Sequence, residues 1–183
     1  MALFKNKYRV ETTRLKNWDY GNEAAYFITI CTKHREHFFG EIRNEEMTLN
    51  DIGNIVRNEW QQTPRIRPDM NLTLDEFTVM PNHFHAIIFI GQNQFNGQPD
   101  IIGEDSLQNN NKKKFSPQSK NLSSIIRGFK SSVTTQAQKI NRNFAWQERF
   151  HDHIIRNHES YVFIRNYILN NPVNWTEDTF YTI

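Results

Sequence analysis

Apolar positions along this chain follow two periods. In "AAYFITICTK", residues 24 to 33, they run almost unbroken and are rich in aromatic and β-branched side chains, which predicts a buried strand. "NLTLDEFTVM", 71 to 80, alternates through Leu72, Leu74, Phe77 and Val79 and predicts a second. After the short turn "MPN", "HFHAIIFI" predicts a third strand running back along the second as an antiparallel hairpin. "FAWQERFHDHIIR", 144 to 156, is a further strand candidate.

Between these lie stretches with a helical period. "LNDIGNIVRNEWQQTP" has Asn50 or Asp51 as a cap, Ile52, Ile55, Val56 and Trp60 on one face, and Pro64 as its stop. "NLSSIIRGFKSSVTTQAQKI", 121 to 140, carries the stripe Leu122, Ile125, Ile126, Phe129 and Val133. "HESYVFIRNYILNNP", 158 to 172, follows the capping residue Asn157, and Pro172 disfavours helical geometry at Asn171 and so ends it. The order is β-α-β-β-α-β followed by one more helix. That predicts an α+β fold: a ferredoxin-like antiparallel sheet with two helices on one face and an added C-terminal helix.

Residues 92 to 119, "QNQFNGQPDIIGEDSLQNNNKKKFSPQS", break the pattern. They are polar apart from Ile101 and Ile102, and they predict a flexible insertion within a single domain spanning 1–183. With 37% apolar residues, including 14 Phe, 6 Tyr and 4 Trp, the chain can build a core of one domain's size. Its lone cysteine, Cys31, excludes an internal disulfide and any CxxC motif. The charged N-terminus has no apolar signal region, and no apolar run approaches the ~18–20 residues that span a bilayer. The expectation is a soluble cytoplasmic protein with no membrane partner.

Net charge is only +2, but the charge is unevenly placed. Lys112, Lys113, Lys114, Lys120, Arg127, Lys130, Lys139 and Arg142 follow one another with no acid among them, and Lys5, Lys7, Arg9, Arg14 and Lys16 face only Glu11. Either cluster alone suits a solvated face. Two in one small chain point towards a polyanion.

Candidate chemistry centres on "MPNHFHAIIFIG". On a strand His83 and His85 point to one face, about 7 Å apart along the backbone, and Phe84 to the other. Such a pair can share a metal ion if the rings converge, and the turn should bring His83 to the sheet's edge. The last helix offers the rest. Tyr167 and Asn171 stand one turn apart on a face shared with Tyr161, Phe163, Ile164 and Ile168, taken as the buried side. The Asn171 amide oxygen can complete a three-ligand site, and Tyr167 beside it can act as a nucleophile. A phenol with an ordinary pKa of about 10 needs a nearby cation to shed its proton. The plain alternatives are a packed Tyr167 and a hydrogen-bonded histidine pair. "FHDHII" holds a second His-x-His, His151 and His153, with Asp152 facing away. The chain has no Walker loop, GxGxxG or Ser-His-Asp order.

"MPNHFHAIIFI" resembles the HUH motif of single-tyrosine transposases, and "WQERFHDHIIRNHESYVFIRNYILNNPVNW" is similar to the C-terminal block of the REP-associated tyrosine transposases, relatives of the IS200-like transposases. The resemblance runs from the strand at 24 to Trp175, excluding 92 to 119. It implies that His83 and His85 bind Mg²⁺ or Mn²⁺, that Tyr167 is the nucleophile, and that Asn171 is the third ligand, where insertion-sequence relatives usually carry Gln. It further implies metal-dependent cleavage and strand transfer of single-stranded or hairpin DNA through a 5′-phosphotyrosine, often by a homodimer. Lys112, Lys113, Lys114, Arg127 and Lys130 are the candidate phosphate contacts. The residues also admit a non-catalytic nucleic-acid-binding module of the same topology, and a metal-dependent phosphoesterase that uses water.

Overall fold

The first predicted strand spans Ala24–Cys31 (β1) in the computed structural model, which describes residues 15, 18–96 and 119–182. It lies inside a four-stranded antiparallel sheet. β5 (His83–Ile90) flanks it on one side and β6 (His151–Ile155) on the other, and β4 (Leu72–Val79) pairs outside β5, giving the order β4-β5-β1-β6. α1 (Asp51–Ile66) and α2 (Leu122–Ile140) supply the crossovers, and α3 (His158–Asn170) follows β6. This is the expected ferredoxin-like order with its added helix. No helix among the described residues is long and apolar enough to cross a membrane.

Side-chain alternation assigns the two faces. Tyr26, Ile28 and Ile30 of β1 and Phe84, Ala86, Ile88 and Ile90 of β5 pack against Val56 and Trp60 of α1 and Ile125, Phe129 and Val133 of α2. The other face presents Ala25, Phe27, Ile87 and Phe89 to Ile164 and Ile168 of α3. β5 is therefore covered on both sides, which explains its unbroken apolar run.

Each helix starts at an asparagine. Asn50 Oδ1 accepts from Gly53 N (2.9 Å), Asn157 Oδ1 from Ser160 N (2.8 Å), and Asn121 forms a reciprocal capping box with Ser124. Such caps contribute roughly 1 kcal/mol each.

Several details differ from expectation. β2 (Gly40–Arg43) and β3 (Glu46–Leu49) form a short hairpin that hydrophobic patterning did not predict. Its turn residues, Asn44 (φ 50°) and Glu45 (φ 65°), are both left-handed, as a two-residue hairpin turn requires, without the usual glycine to announce it. Pro64 does not stop α1. It lies in the last turn, where the helix runs on to Ile66 and Arg67 N closes on Pro64 O (3.2 Å). The alternation of β4 breaks at a register shift between Leu74 and Phe77, which keeps both side chains against the core. Only 151–155 of the 144–156 candidate is strand, because Phe144 and Trp146 turn into the core under α2 instead. Asn171 keeps helical geometry (φ −60°, ψ −40°) before Pro172, since its own N–H takes the Ile168 carbonyl that proline cannot bond (3.3 Å). Most of the polar stretch 92–119, from 97 to 118, lies outside the described residues.

Candidate active site

β5 directs His83 and His85 to the face that α3 covers, and their ring centroids are 4.5 Å apart. His83 is not at a sheet edge. β5 is an interior strand, and the two imidazoles are 0% and 1% exposed. Each ring is held through Nδ1. His83 Nδ1 donates to Asn82 Oδ1 (2.9 Å), and His85 Nδ1 shares a hydrogen bond with Thr29 Oγ1 on β1 (2.9 Å). Both Nε2 atoms are thereby left to the interior, with orientations fixed by neighbours as metal-binding imidazoles require.

α3 brings Tyr167 to this pair. Its Oη is 3.2 Å from His85 Nε2, and its ring sits edge-on to His85 (5.2 Å) and Phe27 (6.2 Å). Tyr167 is 38% exposed, while its hydroxyl is engaged between His85 Nε2 and Asp178 Oδ2. Asn171, one turn later, is buried. Its Nδ2 donates to Asp178 Oδ2 (2.6 Å), which fixes the amide so that Oδ1 faces inward without a hydrogen-bond partner. His83 Nε2 likewise has none. Two buried, unsatisfied acceptors in one site are costly unless an ion or donor joins them.

Asp178 was not foreseen. It accepts from Tyr167 Oη (3.2 Å), Asn171 Nδ2 and, through Oδ1, Phe180 N (2.6 Å). Ligand atoms of His83, His85 and Asp178 lie within 4.8 Å of one another, close enough for this group to hold a metal ion. No spacing rule links residue 178 to the strand; the chain reaches it through the turn and 3₁₀ segment after α3.

The electrostatics suit cation binding. Burial pushes the His83 pKa down to about 4, against the upward pull of Asp178. His85 is held well below its ordinary value by burial and by the neighbouring His83. Both rings are neutral at pH 7 and can offer nitrogen lone pairs. The Tyr167 phenol is pushed up to about 12, by burial first and then by the Asp178 carboxylate.

The remaining candidates are placed as follows. Phe163 is not on the buried face of α3; it is 74% exposed, because Ile164 and Ile168 fill the contact with the sheet. Tyr161 bonds Asp75 through its hydroxyl and packs near Phe89. His151 pairs in register with Thr29, as His85 does from the other side, so it shares the face of the imidazole pair and is exposed; Asp152 points the opposite way. Arg127 and Lys130 sit on α2, across the sheet from the imidazoles, and Lys130 Nζ is engaged by the Gln147 and Glu148 carbonyls (2.5 and 3.2 Å). Lys112, Lys113 and Lys114 lie outside the described residues.

No family model matches the chain. An uncharacterised protein of Haemophilus influenzae is 41% identical over 172 residues, covering 92% of this chain and 91% of that protein. Among solved structures, the REP-associated tyrosine transposase bound to a REP hairpin has a TM-score of 0.58 at 20% identity, over 91% of this chain and 74% of its own, a likeness of fold. A candidate transposase from Deinococcus radiodurans R1 gives a TM-score of 0.43 at 12% identity, over 87% and 97% of the two chains.

Proposed function

We propose that this chain, which belongs to one family with the Haemophilus influenzae protein, is a transposase-like enzyme of the HUH type that cuts and rejoins single-stranded or hairpin DNA through Tyr167. The observation that carries the reading is the 3.2 Å approach of the Tyr167 hydroxyl to a neutral, buried imidazole whose neighbour leaves its own Nε2 unbonded. The ferredoxin-like fold shared with the REP-associated transposase supports the same class.

His83 and His85 through nitrogen and Asn171 through its amide oxygen would hold Mg²⁺ or Mn²⁺. The orphaned His83 Nε2 and Asn171 Oδ1 fit that role. Once bound, the ion supplies positive charge that lowers the cost of forming the phenolate and polarises the scissile phosphate.

The chain's own groups do the rest. Thr29 and Asn82 hold the imidazoles in register. Phe27 and His85 fix the tyrosine ring at the mouth of the site. The Tyr167 oxygen attacks phosphorus, the bond from phosphorus to the 3′ oxygen breaks, and the departing strand takes a proton as its 3′-OH. The product is a 5′-phosphotyrosine. A second 3′-OH attacks the same phosphorus, frees the phenol and joins the two strands, so no external energy source is consumed. Tyr167 and His85 meet within one chain, so a second copy is not required to build the site. In this reading 1–183 acts as one domain, with 92–119 inserted in it.

The test is a denaturing gel of protein incubated with labelled hairpin DNA and Mn²⁺. A protease-sensitive covalent species that disappears in Tyr167→Phe and in His85→Ala supports the reading. Cleavage that persists in Tyr167→Phe assigns the site to a water-using phosphoesterase, and binding without cleavage to a recognition module.

A further inference from the structure

We propose that Asp75, Glu76, Tyr161 and Arg165 form a polar clamp that sets the rotation of α3 and so holds the Tyr167 hydroxyl at His85. They are positioning residues, acting through Tyr167 rather than on the substrate. The proposal rests on the DNA-cleaving reading above and adds what aims its nucleophile.

The clamp begins in an irregularity of β4. In a regular strand "LDEF", 74 to 77, would send Asp75 and Phe77 to one face and Glu76 to the other. Instead Leu74 pairs with Ile88 and Phe77 with Ala86, so Asp75 and Glu76 stand together opposite Ile87, a residue on the α3 face. One extra residue in the strand thus re-aims a side chain that alternation would have turned away.

Both acids meet α3. Asp75 Oδ2 accepts from the Tyr161 hydroxyl, and Glu76 Oε2 accepts from Arg165 Nη2 (2.7 Å). Arg165 Nε lies 3.6 Å from Asp75 Oδ1, which also accepts from Glu76 N (2.7 Å). One guanidinium therefore spans two adjacent carboxylates, and its planar fork fixes direction as well as charge. All three charged side chains are partly shielded from solvent, so salt screens them less than an exposed pair.

α3 has need of such a device. Its buried residues are Ile164 and Ile168, whereas α2 buries seven, from Leu122 to Ala137. A two-residue stripe sets the height of a helix above a sheet and leaves its roll weakly opposed. At about 3.6 residues per turn, Tyr161 and Arg165 fall on one side of that stripe and Tyr167 on the other. A clamp on the first side checks the roll that would carry the phenol away. Turning the helix by ~20° moves an atom ~6 Å from its axis by ~2 Å. The 3.2 Å contact between Tyr167 Oη and His85 Nε2 would not survive that shift, and misplacing a reacting group by ~1 Å can cost ~100-fold in rate.

The test sets rate against affinity in the full chain. Adduct formation with Mn²⁺ is followed in a single turnover at saturating hairpin oligonucleotide, and affinity for the same oligonucleotide by anisotropy. Arg165→Ala should slow the adduct at least about tenfold. Tyr161→Phe keeps the ring near Phe89 and should slow it at least about threefold. Affinity should stay within about twofold in both. Unchanged rates, or rate losses matched by losses of affinity, overturn the proposal.

A second readout involves no chemistry. In the chain labelled with 3-fluorotyrosine, the Tyr167 resonance is identified by its loss in Tyr167→Phe and reports a ring held edge-on to His85 and Phe27. In Arg165→Ala it should move towards the position of the free amino acid, while that of Tyr26, buried on the opposite face, stays. A Tyr167 resonance that does not move, or that moves together with Tyr26, overturns the proposal. No adduct from the unmodified chain would sink the enzyme reading and leave the fluorine shifts to decide the clamp. An adduct that both variants form at full rate would sink the clamp alone.

Discussion

Tyr167 and His85 are 82 residues apart in the chain, yet the phenol oxygen of one lies 3.2 Å from Nε2 of the other. Two independent devices produce this contact. β5 holds His85 on the α3 face of the sheet, and Ile164 and Ile168 seat α3 against that face so that Tyr167, between them in sequence, arrives at the imidazoles.

Thr29 should matter to the metal without touching it. Its hydroxyl orients His85 through Nδ1, and losing such a partner costs 10- to 100-fold in metal affinity as a rough guide. Thr29→Val, similar in shape, is expected to weaken Mn²⁺ binding by about that factor in titration calorimetry, and to lower stability by about 1–3 kcal/mol because it removes a buried hydrogen bond to His85.

Replacing Asn171 should separate reach from chemistry. Asn171→Ala removes the inward Oδ1 and the donor to Asp178 together, and is expected to lower Mn²⁺ affinity at least about tenfold. Asn171→Gln keeps an amide and should retain more affinity than the alanine variant in the same titration.

Acid should destabilise the fold in a defined window. Unfolded histidines titrate near 6.5, whereas His83 in the fold has a pKa of about 4 and His85 lies well below 6.5. Between those values the unfolded chain binds more protons than the folded one, so stability falls as pH drops from about 6.5 towards 4. Each such group costs up to about 1.4 kcal/mol per pH unit inside the window. Urea midpoints measured from pH 7 to pH 4 should decline steeply, and His83→Asn should flatten the slope.

The helical face should answer to packing alone. Trp60 is fully buried against Phe84 and Phe129, and Trp60→Ala is expected to cost about 3–5 kcal/mol. At Gly53 an added Cβ would stand 2.2 Å from the Phe39 carbonyl oxygen, so Gly53→Ala forces α1 away from the β2–β3 hairpin and should also destabilise. Both are read from chemical denaturation.

The sheet and its crossovers were legible because their signals are local. Alternation marks β4, an apolar run marks β5, and Asn50 and Asn157 announce their helices by a side chain acting on the first turn. The β2–β3 hairpin was not legible, since strands of four residues carry little periodicity and its left-handed turn lacks glycine. His83, His85, Tyr167 and Asn171 could be singled out because strand and helix periods place each pair on one face. Asp178 and Phe180 could not, because an irregular segment brings them back over the sheet and no period links them to it. The exposure of Phe163 was missed for a related reason: α3 uses a narrow stripe of two isoleucines, and only packing reveals how narrow it is.

The most direct measurement of the central claim is mass spectrometry of proteolysed protein after incubation with hairpin DNA and Mn²⁺. The account predicts a nucleotide phosphate carried on the peptide that contains Tyr167, attached to that residue and absent from Tyr167→Phe. Cut DNA with every tyrosine unmodified, or an adduct on another residue, would contradict it.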